Sequence, residues 1–389
     1  MINQIKNLAI IYFDEIVEIR RHLHQHPELS FHEYKTSSYI KSILTKWDIS
    51  FTDGIADTGI VVVLKGNNPE TRTTALRADF DALPIQEEND ISYSSQTNGV
   101  MHACGHDAHT SSLLGALKIL DELKADWEGS IKCIFQPAEE MLPGGAQQMI
   151  KEGVLENPKV EKMLGQHVFP DLEVGKVGFC PGKYMASTDE LYITINGKGG
   201  HAALPDKYNN PLLSAAKLIT DLDKSFQKEK DCPSVLAIGF IEGLGSTNVI
   251  PEQVKLKGTL RAMDKEFRKN AHQKMLVISN AIAQAYKVEI DFDIRIGYPC
   301  LLNDEDLTNK SIAFAKEYMG VENVIDLPIR MTAEDFAYYS HEVPSAFYRL
   351  GTANKSMRIT HGLHTSRFNI DEQALKIGMG LMAYLAIRS

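Results

Sequence analysis

The sequence predicts an α/β protein: a mainly parallel, mixed sheet flanked by helices, with a smaller α+β domain inserted into it. The first and last parts of the chain alternate strand-like and helical patterns, an order typical of parallel sheets covered by helices. The middle part has the order β-α-β-β-α-β, which is typical of a ferredoxin-like two-layer unit. Because the chain has 389 residues, more than a single core usually includes, two domains are expected.

We expect the larger domain to be discontinuous, formed by residues 1–184 and 298–389, with the inserted domain at 185–297. The larger domain begins with helical spacing over 3–24 and 33–46. β-Branched runs bounded by turn residues then predict strands, and leucines at helical spacing between the second and third strands predict a helix. These strands are expected at 59–66, 73–78 and 130–136.

The inserted domain and the end of the chain follow from the same patterns. Strands of the inserted domain are expected at 190–197, 235–243, 253–262 and 288–295. After it, helices are expected near 304–319, 332–340 and 371–387, around a strand at 345–351.

Composition limits the class of partner and the compartment. The formal net charge of −10 disfavours nucleic acid and acidic membranes as partners, because neither offers positive charge to meet it. Five scattered cysteines argue against a disulfide framework and favour a reducing cytoplasm. Asp14 and Glu15 interrupt the apolar run near the N-terminus, so neither a signal peptide nor a membrane span is expected there.

Metal-binding side chains cluster in short motifs. The segment MHACGHDAH contains Cys104 and His106, separated by a glycine that lets the backbone bend so that both side chains can reach one ion. Further donors follow in FQPAEE, GQHVF and GLHTSRF. A borderline-soft ion such as zinc accepts thiolate, imidazole and carboxylate together, and five donors suit two ions better than one. The expected ligands are Cys104, His106, Glu140, His167 and His364.

Three clusters of possible ligands directly follow strand-like runs: Glu139 with Glu140, His167, and Asp79 with Asp81. In open α/β sheets ligands bind beyond the carboxyl ends of strands. Glu139 and Glu140 follow one run, where extended backbone would point their side chains to opposite sides. The pair is either a solvated acidic turn, or one acid binds metal while the other takes a proton from water. Asp79 and Asp81 follow another run, and we expect them to cap a turn or to orient a ligating imidazole.

Other candidate residues carry weaker signals. His109 is expected to support the site rather than to bind the ion. Glu334 and Asp335 either favour a helix dipole or support the site. In the inserted domain, His201 and Asn248 are suitable donors for a carbonyl oxygen that becomes negative during attack. A histidine-rich tract precedes residue 33, but a helix there would scatter its side chains over different faces, so we do not expect it to bind metal. Its members are His22, His24, His26 and His32.

The ordered motifs together closely resemble metal-dependent amidohydrolases that include N-acyl-amino-acid deacylases, hippurate hydrolases, N-acetyldiaminopimelate deacetylases and auxin-conjugate hydrolases. The resemblance spans almost the whole chain. Its marks are RRHLHQHPELSFHE, RADFDALPIQE, MHACGHDAH, FQPAEE, GQHVFP, GKGGHAALP, NVIPEQVKLKGTLRA, AEDFAYY and GLHTSRF.

The resemblance implies a catalytic domain with two divalent ions, of which Zn, Mn, Ni and Co are candidates, and a smaller lid domain that commonly mediates dimerisation. It implies the five ligands named above, Glu139 as general base, and His201 as a hydrogen-bond donor to the substrate carbonyl with Asn248 nearby. This chain departs from relatives at Asn210, where an Asp is usual, and at Ser345, where a Gly is usual. Both positions lie outside the metal motifs, so they concern substrate details.

The resulting hypothesis is hydrolysis of an N-acyl amino acid, most simply an N-acetyl one, by water that the metals activate and Glu139 deprotonates. A dipeptidase or carboxypeptidase is the closest alternative, because a peptide bond and an N-acyl amide share the same attack geometry. A metal-containing binding protein without turnover is the alternative from another class. A further alternative makes Cys104 the nucleophile, activated by a histidine.

Overall fold

The computed structural model describes residues 1–226 and 232–389, and these residues divide into two compact units. The first unit comprises residues 1–182, 302–328 and 335–389. The second comprises residues 183–301 and 329–334. The second unit thus interrupts the first in sequence.

The elements are numbered in chain order. The helices are α1 (Ile2–Ile11), α2 (Phe13–Gln25), α3 (Tyr34–Lys46), α4 (His106–Glu122), α5 (Gly145–Lys151), α6 (Pro211–Phe226), α7 (Lys265–Tyr286), α8 (Glu305–Met319), α9 (Ala337–Ser340) and α10 (Ala374–Arg388). The strands are β1 (Thr52–Ile55), β2 (Gly59–Lys65), β3 (Thr73–Asp79), β4 (Ser130–Gln136), β5 (Lys162–Glu173), β6 (Val177–Phe179), β7 (Gly182–Met185), β8 (Ser187–Asn196), β9 (Gly200–His201), β10 (Ser234–Glu242), β11 (Val249–Ile250), β12 (Gln253–Ala262), β13 (Glu289–Ile296), β14 (Leu301–Asn303), β15 (Val324–Asp326) and β16 (Ser345–Ala353). Short 3₁₀ turns occur at Lys124–Asp126, Pro205–Lys207 and Val321–Asn323.

The first unit is built on an eight-stranded mixed sheet in the order β1-β2-β4-β3-β5-β16-β6-β15. Its central strands β4, β3, β5 and β16 are parallel neighbours. Antiparallel pairs join β1, β2 and β4 on one side and β16 with β6 on the other. Every residue of β3, β4 and β16 is buried, as expected for strands covered on both faces. The predicted mainly parallel sheet is confirmed.

Helix α4 lies at the centre of the first unit, where it packs against α10 and α2. Nearly every residue of α4 is buried, including Leu113, Leu114 and Leu117. This burial fixes the helix against the sheet and therefore holds the backbone of its first residue, His106, in place. Within the described residues, no helix combines the length and the apolar character that crossing a membrane requires.

Two predicted helices differ from the structure. The pattern over 3–24 forms two helices, α1 and α2, separated by Tyr12, whose N–H and carbonyl still bond along the axis to Leu8 and Ile16. The helix expected over 332–340 is limited to α9. Residues 332–334 have no regular structure, and residues 335 and 336 form a turn in which the Asp335 N–H donates to the Glu139 carboxylate.

The second unit contains a four-stranded antiparallel sheet in the order β10-β12-β8-β13, with α6 and α7 packed against it. Strand β8 alternates buried and half-buried residues along most of its length, because one face of the sheet packs against the helices. Leu191, Ile193, Leu218 and Met275 lie in its core. The β-α-β-β-α-β order and this strand order are those of a ferredoxin-like unit, as predicted.

Candidate metal centre

The turn before α4 brings a thiol and an imidazole into one buried site. Gly105 has a φ of +83°, and a Cβ there would lie 2.5 Å from the Val168 side chain, so only glycine fits the turn. On one side of Gly105, the Cys104 Sγ lies 3.5 Å from the His167 Nε2. On the other side, His106 begins the helix.

His106 presents a buried nitrogen without a hydrogen-bond partner. Its Nδ1 bonds to Asp81 Oδ1 at 3.0 Å, which leaves Nε2 directed into the site. Among the described residues, neither this Nε2 nor Glu140 Oε1 has a hydrogen-bond partner, although the two atoms lie 3.8 Å apart. The same Glu140 oxygen lies 3.3 Å from His364 Nε2. Buried polar atoms without a hydrogen-bond partner are rare in proteins. A cation bound between His106 Nε2 and Glu140 Oε1 would satisfy both atoms.

The five predicted ligands form overlapping groups. Within each group the donor atoms lie within 4.8 Å of one another. One group is Cys104, His106 and His167, and another is Cys104, Glu140 and His364. The two groups share Cys104. The donor set, one thiol with imidazoles and a carboxylate, suits zinc and similar borderline-soft ions.

His167 and His109 have different hydrogen bonds and therefore different capacities. The Nδ1 of His167 bonds to the Val168 carbonyl at 2.7 Å, so Nε2 carries the lone pair toward Cys104. In His109, Nδ1 donates to Asp79 at 2.6 Å, and Nε2 accepts from the Val168 N–H at 2.9 Å. Both nitrogens of His109 are occupied, so it has no lone pair for a metal and supports the site.

Burial and charge shift the pKa values of the donors. Burial alone would lower the pKa of His106, but Asp79 and Asp81 outweigh it and raise that pKa to about 10. Burial and then the neighbouring carboxylates Glu140 and Glu139 raise the pKa of the Cys104 thiol well above its usual range. Burial, followed by Arg349, lowers the pKa of His167. A metal ion would have to displace protons from the thiol and from His106, which couples metal affinity to pH.

The acid pair Glu139 and Glu140 corrects one prediction. The extended backbone expected after β4 does not continue, because Ala138 has a φ of +52° and the chain bends. Ala138 is held there by its N–H bond to Glu33 at 2.8 Å. Consequently both carboxylates approach His106, and the three donor atoms lie within 4.8 Å of one another. Glu139 is 6% exposed, so the pair is not a solvated turn.

Asp79 and Asp335, which the sequence offered as possible supports of the site, are joined by a buried arginine that was not predicted. Arg77 bonds to Asp79 at 2.5 Å and to Asp335 at 2.7 Å. The Asp335 N–H in turn donates to Glu139 at 3.4 Å. The motif R-A-D was available as a signal, because an arginine inside an otherwise apolar strand must find buried acidic partners.

The first turn of α4 has a second anchor. Arg20 Nε and His24 Nδ1 both bond to Asp107 Oδ2 at 2.8 Å, and His24 Nε2 bonds to Glu87 at 3.1 Å. Although burial raises the pKa of Asp107, Arg20 and His24 outweigh it and hold this pKa far below its usual range. His24 is thus a structural member of the histidine-rich tract.

His201 and Asn248 lie together in the second unit. Strand β9, which ends at His201, pairs with β11, and the Ala202 N–H donates to the Asn248 carbonyl at 3.0 Å. The His201 Nδ1 accepts from the Ala203 N–H at 3.1 Å, so a neutral ring carries its proton on Nε2. The side chain is exposed, and Nε2 is available as a donor.

The chain is similar to known peptidases and deacetylases. The sequence pattern of peptidase family M20/M25/M40 matches residues 75–388. The N-acetyl-L-cysteine deacetylase of Bacillus subtilis is 37% identical over 363 residues, which cover 93% of this chain and 85% of the relative. Thermostable carboxypeptidase 2 of Saccharolobus solfataricus is 34% identical over 394 residues, covering 100% and 98%. The crystal structure of the Bacillus subtilis YXEP protein, a dinuclear metal binding peptidase from the M20 family, superposes with a TM-score of 0.81 at 33% identity and covers 97% of this chain and 98% of that one.

The Asp81→Asn substitution tests the support of His106. Without the Asp81 charge, His106 Nδ1–H loses its strongest acceptor, so we expect metal affinity to fall about 10- to 100-fold. The measurement is competition for metal against a chelator of known affinity. Asp53→Asn, which alters an exposed carboxylate paired with Lys41, is the matched control. Unchanged affinity in Asp81→Asn would contradict the assignment.

Proposed function

The chain belongs to peptidase family M20/M25/M40, and we propose that it is a metal-dependent hydrolase that cleaves the amide bond of N-acyl amino acids. One observation carries the proposal: thiol, imidazole and carboxylate donors converge on the orphan Nε2 of His106. The similarity to an N-acetyl-L-cysteine deacetylase supports an N-acetyl amino acid as substrate.

The proposed cofactor is a pair of divalent ions held by Cys104, His106, Glu140, His167 and His364. Zn, Mn, Ni and Co are the candidate ions. The Cys104 thiolate favours the softer ions among these four and disfavours Mg²⁺ and Ca²⁺. When bound, such ions polarise a carbonyl and lower the pKa of a water molecule to about 7. The similarity to a dinuclear metal binding peptidase supports the number of two.

Glu139 is the proposed general base. Its carboxylate is buried beside His106 and is oriented by the Asp335 N–H. From this position it accepts a proton from the attacking water and later delivers that proton to the departing nitrogen. Glu140, its neighbour, has a different task because its Oε1 faces two imidazoles.

His201 is the proposed donor to the substrate carbonyl, with Asn248 beside it. As the carbonyl carbon becomes tetrahedral its oxygen gains negative charge, which a preorganised N–H stabilises. The bond from Ala203 to Nδ1 supports this role because it leaves the Nε2 proton free to donate.

A thiol mechanism is disfavoured by the surroundings of Cys104. Burial and two carboxylates raise the pKa of the thiol, so without a metal it stays protonated and is a poor nucleophile. A silent binding protein is disfavoured because the complete donor set is accompanied by the buried base Glu139.

The remaining proposals concern assembly and compartment. We propose a homodimer formed through the second unit, whose edge strand β10 exposes Val235, Phe240 and Ile241. Edge strands of this kind readily pair with another chain, and the mass in solution tests the dimer. A reducing cytoplasm is proposed because the five cysteines are scattered widely along the chain.

Glu139→Gln tests the general base. Glutamine preserves size and cannot accept the proton, so kcat should fall about 10²- to 10⁴-fold while metal content stays normal. Metal analysis and turnover are measured on the same preparation. The neighbouring substitution Glu140→Gln should instead reduce metal content. Near-normal turnover in Glu139→Gln would refute the role.

His201→Ala tests the carbonyl donor. Loss of one oxyanion donor should lower kcat about 10²- to 10³-fold, with KM and metal content little changed. Steady-state kinetics on an N-acetyl amino acid measure kcat and KM separately. Lys198→Gln, at another exposed residue near the same turn, is the control. A loss confined to KM would show that His201 only binds substrate.

A substrate panel separates amidase from peptidase. N-Acetyl amino acids and dipeptides that share the same C-terminal amino acid are compared by kcat/KM. We expect the N-acetyl compounds to be cleaved faster. Faster cleavage of the dipeptides would establish the carboxypeptidase alternative, to which the similarity with carboxypeptidase 2 also points. Glu139→Gln enzyme, which should lack both activities, controls for contaminating peptidases.

A further inference from the structure

A cavity of about 580 Å³ lies in the first unit, where the end of α2 faces α3. Its walls include three members of the histidine-rich tract, namely His22, His26 and His32, together with Glu28 and Tyr39. None of the five predicted metal ligands, and neither Glu139 nor His201, lines this cavity. It is therefore a feature that the proposed reaction does not use.

The helix separates the tract into two groups. His24 points into the protein, toward Asp107 and Glu87. His22 and His26, four residues apart, share the opposite side, and their ring centroids are 4.5 Å apart. The expectation that a helix scatters these histidines holds for His24 and is wrong for His22 and His26. His26 is the C-cap of α2, and its N–H still bonds to the His22 carbonyl. The two side chains are therefore about one helical turn apart, as are the two zinc ligands of the H-E-x-x-H motif.

The rings of this pair are available as ligands. Among the described residues, no side chain or backbone group hydrogen-bonds to the ring nitrogens of His22, His26 or His32. Tyr39 stacks on His22 with ring centroids 3.7 Å apart, which fixes that ring before any ligand arrives. Burial and then His26 lower the pKa of His22, so its lone pair is free at neutral pH.

We propose that His22 and His26 chelate a divalent transition-metal ion at this cavity, with water completing its coordination. Neutral imidazoles select Zn²⁺, Ni²⁺, Cu²⁺ or Co²⁺ over Mg²⁺ and Ca²⁺. Glu28 adds a negative charge to the same wall, although its Oε2 already accepts from the Thr36 N–H and hydroxyl. Lys35, also in the wall, is exposed and can turn its charge toward solvent.

The proposal goes beyond the proposed hydrolase function and does not depend on it. An ion held by His22 and His26 would stabilise the last turn of α2, because it joins a residue of that turn to the residue that ends the helix. Because the ion binds the folded chain, it should raise the thermal midpoint as its concentration rises.

The test counts ions in the complete protein with its catalytic ions in place. Ni²⁺ is added by titration calorimetry, and bound metal is counted after equilibrium dialysis. The readout is the difference between the wild-type protein and the His22→Gln/His26→Gln double variant, which should be one ion. This difference does not depend on the number of catalytic ions or on turnover, so it stays informative if the hydrolase proposal fails.

Each single substitution, His22→Gln or His26→Gln, should weaken Ni²⁺ binding at this cavity by at least about tenfold, since even outer partners of metal sites contribute about 10- to 100-fold. Using both variants guards against misfolding of either one, and circular dichroism checks the fold. His341→Gln, which changes an exposed histidine outside the cavity, should bind like the wild type. Absence of the additional ion at millimolar Ni²⁺, or equal affinity in the wild-type protein and the double variant, would overturn the proposal.

Discussion

The candidate centre depends on one buried cation, the guanidinium of Arg77. Its three nitrogens reach Gln136 on β4, Asp79 on its own strand and Asp335 from the last part of the chain. Arg77 is 1% exposed, and removing one partner of such a pair costs about 3–5 kcal/mol because a charge is left buried and unpaired. The planar, five-donor shape of arginine allows one side chain to join all three partners, which lysine could not do.

Two chains of hydrogen bonds begin at Arg77. Through Asp79 one chain reaches His109, whose other nitrogen accepts the Val168 N–H next to His167. Through Asp335 the other reaches the carboxylate of Glu139. The side that would hold metal and the side that would move the proton are therefore positioned by the same buried group. A displacement of one side would therefore displace the other, and a displacement of about 1 Å can lower the rate about 100-fold.

The sequence predicted the parts of this arrangement that depend on local pattern. Alternation of strands and helices determined the fold class, and the unusual chemistry of Cys104 beside His106 identified the donor cluster. Asp79, Asp81 and Asp335 were recognised as possible supports, but the arginine that joins two of them was not. Arg77 and Asp335 are 258 residues apart, and no periodicity connects them. The bend at Ala138 was also unpredictable, because a positive φ at alanine is imposed by a tertiary bond to Glu33.

Burying the proposed metal-ligand atoms lowers the stability of the fold, and hydrogen bonds from neighbouring side chains are needed to hold these atoms in place. His106 Nε2 is buried without a hydrogen-bond partner among the described residues, and an unsatisfied buried group costs about 1–3 kcal/mol. Glu140 Oε1 makes no hydrogen bond either, and His364 Nε2 lies 3.3 Å from it. If the His106 and Glu140 side chains could rotate, they would turn toward solvent or toward each other and so recover hydrogen bonds. Here Asp81 fixes one side of the imidazole and also accepts the Glu140 N–H, so this rotation is prevented. Ligand atoms held in place without hydrogen-bond partners are suited to binding a cation. Binding of a cation to all of them would offset the free-energy cost of burying them.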